Sequence, residues 1–100
     1  MADGDVLIDS EFEVDRSSRR RIKLFACEDS SRPGNLKYRF QCYDPDTGET
    51  VLRYDNAHDH PVAGWHHRHT SEHEDPQPIE FDGLRTHIER FQQEVRSLND

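Results

Sequence analysis

Residues 36–55 read LKYRFQCYDPDTGETVLRYD, and they decide the fold because they encode two strands and the turn that joins them. In the first half, apolar side chains alternate with polar ones, at Leu36, Tyr38, Phe40 and Cys42. A period of two is typical of a strand with one buried face. The Pro, Asp and Gly residues of 44–48 favour a tight hairpin turn. We therefore predict strands over 36–43 and 50–55.

The same period of two occurs twice before this hairpin. In the first segment apolar residues alternate with acidic ones, at Val6, Ile8, Phe12 and Val14. After a polar turn at 16–19, the second segment alternates at Ile22, Leu24 and Ala26. The four segments predict an antiparallel four-stranded meander, with strands at about 5–15, 20–28, 36–43 and 50–55.

Toward the C-terminus the hydrophobic period becomes that of a helix. Apolar residues recur at steps of four and three, at Leu84, Ile88, Phe91, Val95 and Leu98. This spacing predicts an amphipathic helix over 83–98. Its apolar side should pack on one face of the sheet and bury Leu84, Ile88, Phe91 and Val95, because a lone sheet would leave its apolar face in water. The expected fold class is α+β, in a single domain over 1–100 with a His-rich loop at 56–78.

The composition excludes several classes of protein. The chain has 100 residues, of which 31% are hydrophobic and 34% charged, which suits one small domain with a thin core. No apolar run approaches the roughly 20 residues needed to cross a bilayer, so we expect a cytoplasmic protein without membrane contact. The 13 basic residues include only two lysines and face 21 acidic ones. An acidic, lysine-poor surface is typical of salt-adapted proteins, and we expect a halophilic archaeal source.

The basic residues are concentrated in one part of the chain. Residues 16–39 hold eight basic and two acidic side chains, a net charge of +6 in a protein whose net charge is −8. Such a band can bind a phosphate backbone, and we predict RNA contacts at Arg19, Arg20, Arg21 and Lys23. Alternatively, these arginines pair with the acidic first strand across the hairpin.

Histidine is concentrated between the fourth strand and the helix. Six of the seven histidines fall within 53–73, at His58, His60, His66, His67, His69 and His73. Two positioned imidazoles can act as general base and general acid, while an arginine stabilises the charge that develops on a phosphate. This chemistry cleaves RNA without a metal or any other cofactor. The seventh histidine, His87, flanks Ile88 in the helix and is expected to be a half-buried packing residue.

A noncatalytic function is the alternative. The pairs His58-x-His60 and His67-x-His69 would each point two imidazoles the same way on an extended chain, and Asp55 or Asp59 could complete a site for zinc or another divalent metal. The module would then bind that metal or a protein partner. A His-rich surface loop without any role is a third interpretation.

A longer stretch around these histidines carries a family resemblance. The segment VLRYDNAH at 51–58, followed by HHRH at 66–69, resembles the RYDN-x-H … H-x-RH signature of TumE-type toxins of prokaryotic toxin–antitoxin modules. The family pattern commonly continues with Gly after its first His, whereas this chain has Asp59-His60-Pro61 there. The role of His60 therefore stays open. The resemblance implies a toxin that acts on RNA or on translation and is neutralised by a cognate antitoxin protein, and it leaves a homodimer open.

The resemblance also supplies candidate site residues. It carries over to Arg53, Tyr54, Asp55, His58, His67, Arg68 and His69. We predict that His58 and His69 are the leading proton-transfer pair and that Asp55 orients an imidazole. Arg68 is the predicted phosphate contact, and His67 completes the catalytic group. Arg53 and Tyr54 are predicted to contact RNA.

Overall fold

A computed structural model describes residues 4–14, 19–57, 59, 61, 63–71 and 73–99. These residues form an antiparallel sheet and one C-terminal helix, which confirms the α+β class. The strands are β1 (Val6–Glu13), β2 (Arg21–Glu28), β3 (Leu36–Tyr43), β4 (Thr50–Asp55), β5 (His67–Thr70) and β6 (His73–Pro78). The helix is α1 (Leu84–Asn99). No helix in the described part of the chain is long and apolar enough to cross a membrane.

The sheet has six strands in the order β1 to β6, so the prediction of four strands is wrong. The two additional strands lie inside 56–78, where a loop was expected. Neither shows an apolar period: β5 reads HRHT and β6 reads HEDPQP. β5 forms because β4 presents a free edge, on which Leu52 pairs with Thr70 and Asp55 with His67. The prolines of β6 are tolerated because this strand is at the edge of the sheet.

The core lies between α1 and one face of the sheet, which we call the helix face. Phe91 and Val95 of α1 are buried there, and the Phe91 ring packs edge-on against Phe40 and Tyr54. The other two helix residues expected in the core, Leu84 and Ile88, are only half-buried. Both line an open groove beside β1, which is the other edge of the sheet.

The opposite side of the sheet, which we call the open face, carries no helix among the described residues. Strand register arranges its side chains in rows that run across neighbouring strands. One row contains Phe25, Arg39, Asp55 and His67. The row beside it contains Lys23, Gln41, Arg53 and His69. Residues far apart in the sequence thus become neighbours on this face.

Candidate functional site

The end of β4 places a carboxylate among three groups that can carry positive charge. Asp55 Oδ2 lies 2.7 Å from Arg53 Nε and 3.7 Å from His69 Nε2, while Asp55 Oδ1 lies 3.2 Å from His67 Nδ1. The Asp55 side chain is 8% exposed. A buried carboxylate needs such partners, and in return it orients the imidazole of His67, which lies within hydrogen-bond distance. This cluster brings together three of the predicted catalytic residues, Asp55, His67 and His69.

The two imidazoles of the cluster differ in access. His67 is fully buried, and its Nε2 contacts the carbonyl oxygen of Gly64 while Nδ1 faces Asp55. Both nitrogens of His67 are therefore engaged inside the protein. His69 is 25% exposed, and its ring lies nearly perpendicular to that of His67 at 5.9 Å between centroids. Part of the His69 ring, but not its buried Nε2, is therefore accessible from the open face, whereas His67 is not accessible at all.

Arg68 points to the other side of the sheet, although it lies between these two histidines in the sequence. The alternation of a strand sends it to the helix face, beside its register partner Tyr54. There its Nε donates to Glu94 Oε2 of α1 at 2.7 Å, and its terminal nitrogens bond to Glu94 and Gln77. Glu94 raises the pKa of the Arg68 guanidinium. The strand thus separates the predicted phosphate contact from Asp55, His67 and His69.

Tyr54 also lies on the helix face. Its ring is buried against Phe91, and its hydroxyl donates to Glu94. Burial, assisted by this hydrogen bond, raises the pKa of Tyr54. The phenol is therefore a neutral donor that helps to fix Glu94, and its position in the core removes it from the open face.

His58 and His60 lie outside the described residues, but the chain that leads to them is firmly held. Asn56 is fully buried; its Nδ2 donates to the Leu36 carbonyl at 2.6 Å, and its Oδ1 accepts from the Tyr38 amide at 2.9 Å. Arg32 donates to the carbonyls of Asn56 and Ala57 at 2.9 and 2.7 Å. Asn56 and Arg32 were not among the predicted site residues, although Asn56 stands within the RYDN motif.

The predicted RNA-binding arginines make ion pairs at the protein surface. Arg19 lies 2.8 Å from Asp46, and Arg21 lies 3.7 and 3.8 Å from Glu11 and Glu13 of β1. The cross-strand pairing weighed for this segment therefore occurs at Arg21. Such exposed pairs leave the arginines accessible to a ligand.

Lys23, Lys37 and Arg39 lie on the open face and are exposed. Among the described residues, no carboxylate comes within ion-pair distance of these three cations. Lys37 and Arg39 were not predicted as contacts, although both belong to the basic segment 16–39. Their alternation with the apolar residues of β3 was the signal that could have identified them.

Two other histidines have packing roles. The ring of His66 stacks on that of Phe81 at 4.8 Å, and its Nδ1 lies 2.8 Å from the Tyr38 hydroxyl. His87 is fully buried, beyond the half-burial expected for it, and contacts Tyr38 and Tyr54. Burial lowers the pKa of His66 and brings that of His87 to about 4. His87 therefore stays neutral at physiological pH.

A divalent cation is the other ligand that this cluster could hold. Asp55, His67 and His69 each offer one ligand atom, and these atoms lie within 4.8 Å of one another. One carboxylate and two imidazoles suit zinc, although a cation would have to replace the contact between His67 and Asp55 and tolerate the nearby Arg53. Of the four histidines in the alternative metal site, only His67 and His69 are described. Asp59 is exposed.

Comparison with known proteins gives one result. A family model described as toxin TumE matches residues 3–99, nearly the whole chain. No curated protein and no solved structure gives a significant match.

Proposed function

The chain belongs to the TumE toxin family, and we propose that it acts by cleaving RNA without a metal. Membership of this family indicates the toxin component of a toxin–antitoxin module. The family also implies an antitoxin partner. We propose that this partner neutralises the toxin in the cytoplasm and that the cleavage site is the cluster around Asp55.

The observation that carries this proposal is the position of the cluster on a cationic surface. Arg53, His67 and His69 surround Asp55 at the end of β4. The exposed Lys23, Lys37 and Arg39 extend the positive charge across the neighbouring strands. Phosphodiester cleavage needs imidazoles for proton transfer and cations beside the phosphate, and this face supplies both.

Each residue then takes a role. His69 is one proton-transfer group because its ring is accessible, and His58 is the other because its segment leaves β4 directly after Asp55. One of them removes the proton from a ribose 2′-hydroxyl, which attacks the adjacent phosphorus. The other protonates the 5′-oxygen as the phosphorus–oxygen bond breaks, so no further reactant is required. Asp55 orients the imidazole of His67 and lies 3.7 Å from that of His69, and buried His67 holds Asp55 in place.

The phosphate contact at this site is assigned to Arg53. Arg53 shares the open face with Asp55, whereas Arg68 is paired with Glu94 on the helix face. The guanidinium of Arg53 lies beside the cluster and can stabilise charge on a bound phosphate. Arg68, by contrast, connects β5 to α1 and positions the helix.

Substitution of the two proton carriers tests this function. His58→Ala and His69→Ala should each relieve growth arrest in expressing cells and lower the rate of RNA cleavage at least ~100-fold, the usual contribution of general acid–base catalysis. Cleavage by the purified wild type should persist in EDTA. Arg96→Gln, an exposed change on α1, is the control and should cleave normally. Unchanged toxicity in a folded His58→Ala/His69→Ala protein would contradict the catalytic proposal.

A noncatalytic metal-binding module is the second candidate, favoured by the proximity of the three ligand atoms of Asp55, His67 and His69. In that case titration with zinc would give a stoichiometric complex that His69→Ala weakens. Addition of EDTA would lower the melting temperature of the loaded protein. Cleavage that persists in EDTA with no stabilisation by zinc would exclude this candidate.

A further inference from the structure

A cavity of about 310 Å³ lies on the open face, one strand away from Asp55. Its lining includes Asp9 of β1, Lys23 and Phe25 of β2, and Lys37, Arg39 and Gln41 of β3. Three cations against one carboxylate give this cavity a net positive charge. Lys37 and Arg39 make no ion pair with a described carboxylate, and Lys23 acts on its register partner Glu11 only at longer range, so the cations are available to an anion.

Phe25 gives the same cavity an aromatic wall. Its ring is half-buried, and its register partners on this face are Asp9 and Arg39. An accessible aromatic ring between cations is the combination that binds single-stranded nucleic acids, since bases stack on the ring while phosphates contact the cations.

The register fixes the distance between this cavity and the cleavage site. Phe25, Arg39 and Asp55 are consecutive members of one row, so Phe25 lies two strand spacings, or about 10 Å, from Asp55. A nucleotide whose base stacks on Phe25 would place its phosphate near Arg39. The next stretch of backbone would then reach Arg53 and His69.

We propose that this cavity is a nucleotide subsite that selects single-stranded RNA, with one base stacked on Phe25 and the backbone held by Lys23, Lys37 and Arg39. This inference rests on the proposed RNA cleavage and names its substrate class. Duplex RNA is disfavoured because its bases are paired and stacked within the helix, where a ring in the wall of a cavity cannot reach their faces.

Binding can be measured separately from cleavage by fluorescence anisotropy. The probes are a 5′-labelled ten-nucleotide oligouridylate and a labelled twenty-base-pair RNA duplex, and the protein carries His69→Ala to prevent cleavage. The single strand should bind at least ~10-fold more tightly than the duplex at equal salt, because stacking of one base contributes about 1–3 kcal/mol. Equal or tighter binding of the duplex would overturn the proposed selectivity.

Two sets of variants separate stacking from charge. Phe25→Leu should weaken oligouridylate binding about 10-fold without changing its salt dependence, and Phe25→Trp should restore it. Lys37→Gln/Arg39→Gln should weaken binding and reduce the slope of log affinity against log salt by about 1.4. The matched control, Arg96→Gln on the other side of the molecule, should change neither quantity.

The outcomes distinguish this subsite from the cleavage mechanism. Unchanged binding in folded Phe25→Leu and Lys37→Gln/Arg39→Gln proteins would overturn the subsite, even if the wild type cleaves RNA. Selective binding that depends on Phe25, in a wild type that cleaves no RNA, would support the subsite and contradict the proposed reaction.

Discussion

The two faces of the sheet are built from alternate residues of the same strands, yet the open face carries exposed cations without ion-pair partners among the described residues in addition to its own ion pairs, such as Arg53 with Asp55. On the helix face Arg68 is paired with Glu94, and Tyr54 donates to the same carboxylate. On the open face Lys37 and Arg39 extend into solvent without such partners among the described residues. The Arg68–Glu94 pair connects the sheet to α1 and stabilises the fold, whereas the exposed cations of the open face are available to a ligand.

This difference separates residues that look equivalent in the sequence. His67, Arg68 and His69 are consecutive, but the strand places the two histidines with Asp55 and the arginine with α1. We therefore expect changes on the helix face to alter stability, and changes on the open face to alter activity and binding.

The largest effect on stability should come from the centre of the helix face. Phe91→Ala removes a fully buried ring that packs on Phe40 and Tyr54, and it should lower the free energy of unfolding by about 3–5 kcal/mol. Equilibrium unfolding in urea measures this loss. Leu98→Ala, at a position on the same helix that is 43% exposed, is the control and should cost much less. Similar losses in both variants would show that α1 does not pack as described.

The pH dependence of stability should also arise on the helix face. Burial lowers the pKa of His87 to about 4, whereas in the unfolded chain it is near 6.5. Between pH 6.5 and pH 4, His87 is therefore protonated in the unfolded chain but neutral in the folded protein. The stability associated with neutral His87 is complete above pH 6.5 and is lost as the pH falls toward 4, by about 3 kcal/mol.

The variant that tests this pH dependence is His87→Phe. It keeps an aromatic ring against Tyr38 and Tyr54 but has no group that binds a proton. Urea unfolding at several pH values between 4 and 7 should give a shallower decline for the variant than for the wild type. Parallel curves would mean that the acid sensitivity arises elsewhere.

The smallest effect on stability is expected at the start of β2. Arg19→Gln/Arg20→Gln/Arg21→Gln removes exposed ion pairs to Asp46, Glu11 and Glu13, and such pairs contribute at most about 1 kcal/mol each. The melting temperature should change little, while RNA affinity falls and its salt dependence flattens. Retained affinity with a large loss of stability would assign these arginines to the fold alone.

Much of the fold could be predicted because apolar periodicity was strong where burial is one-sided. The alternation of β3 and the 4-3 spacing of α1 are direct consequences of packing against each other. β5 and β6 could not be predicted in this way, since their polar sequences become strands only through pairing at the edge of β4. Pairing between distant segments is not visible in a local pattern.

The candidate site, like the fold, could be predicted only in part. The residue types at Asp55, His67 and His69 were sufficient to suggest a common site. The separation of Arg68 from them was not predictable, because a loop has no alternating faces and the segment was expected to be a loop. Glu94 was not predicted for the same reason, because its role depends on β5 directing Arg68 toward α1.

The most direct test of the division between faces compares two arginines, each paired with a carboxylate. Arg53→Gln should lower RNA cleavage at least ~10-fold with little loss of stability, because Asp55 keeps its contact with His67. Arg68→Gln should leave cleavage nearly unchanged and lower the free energy of unfolding by about 1–3 kcal/mol, because Glu94 loses its partner. Cleavage lost in stable Arg68→Gln protein, together with normal cleavage by Arg53→Gln, would contradict the placement of the chemistry on the open face.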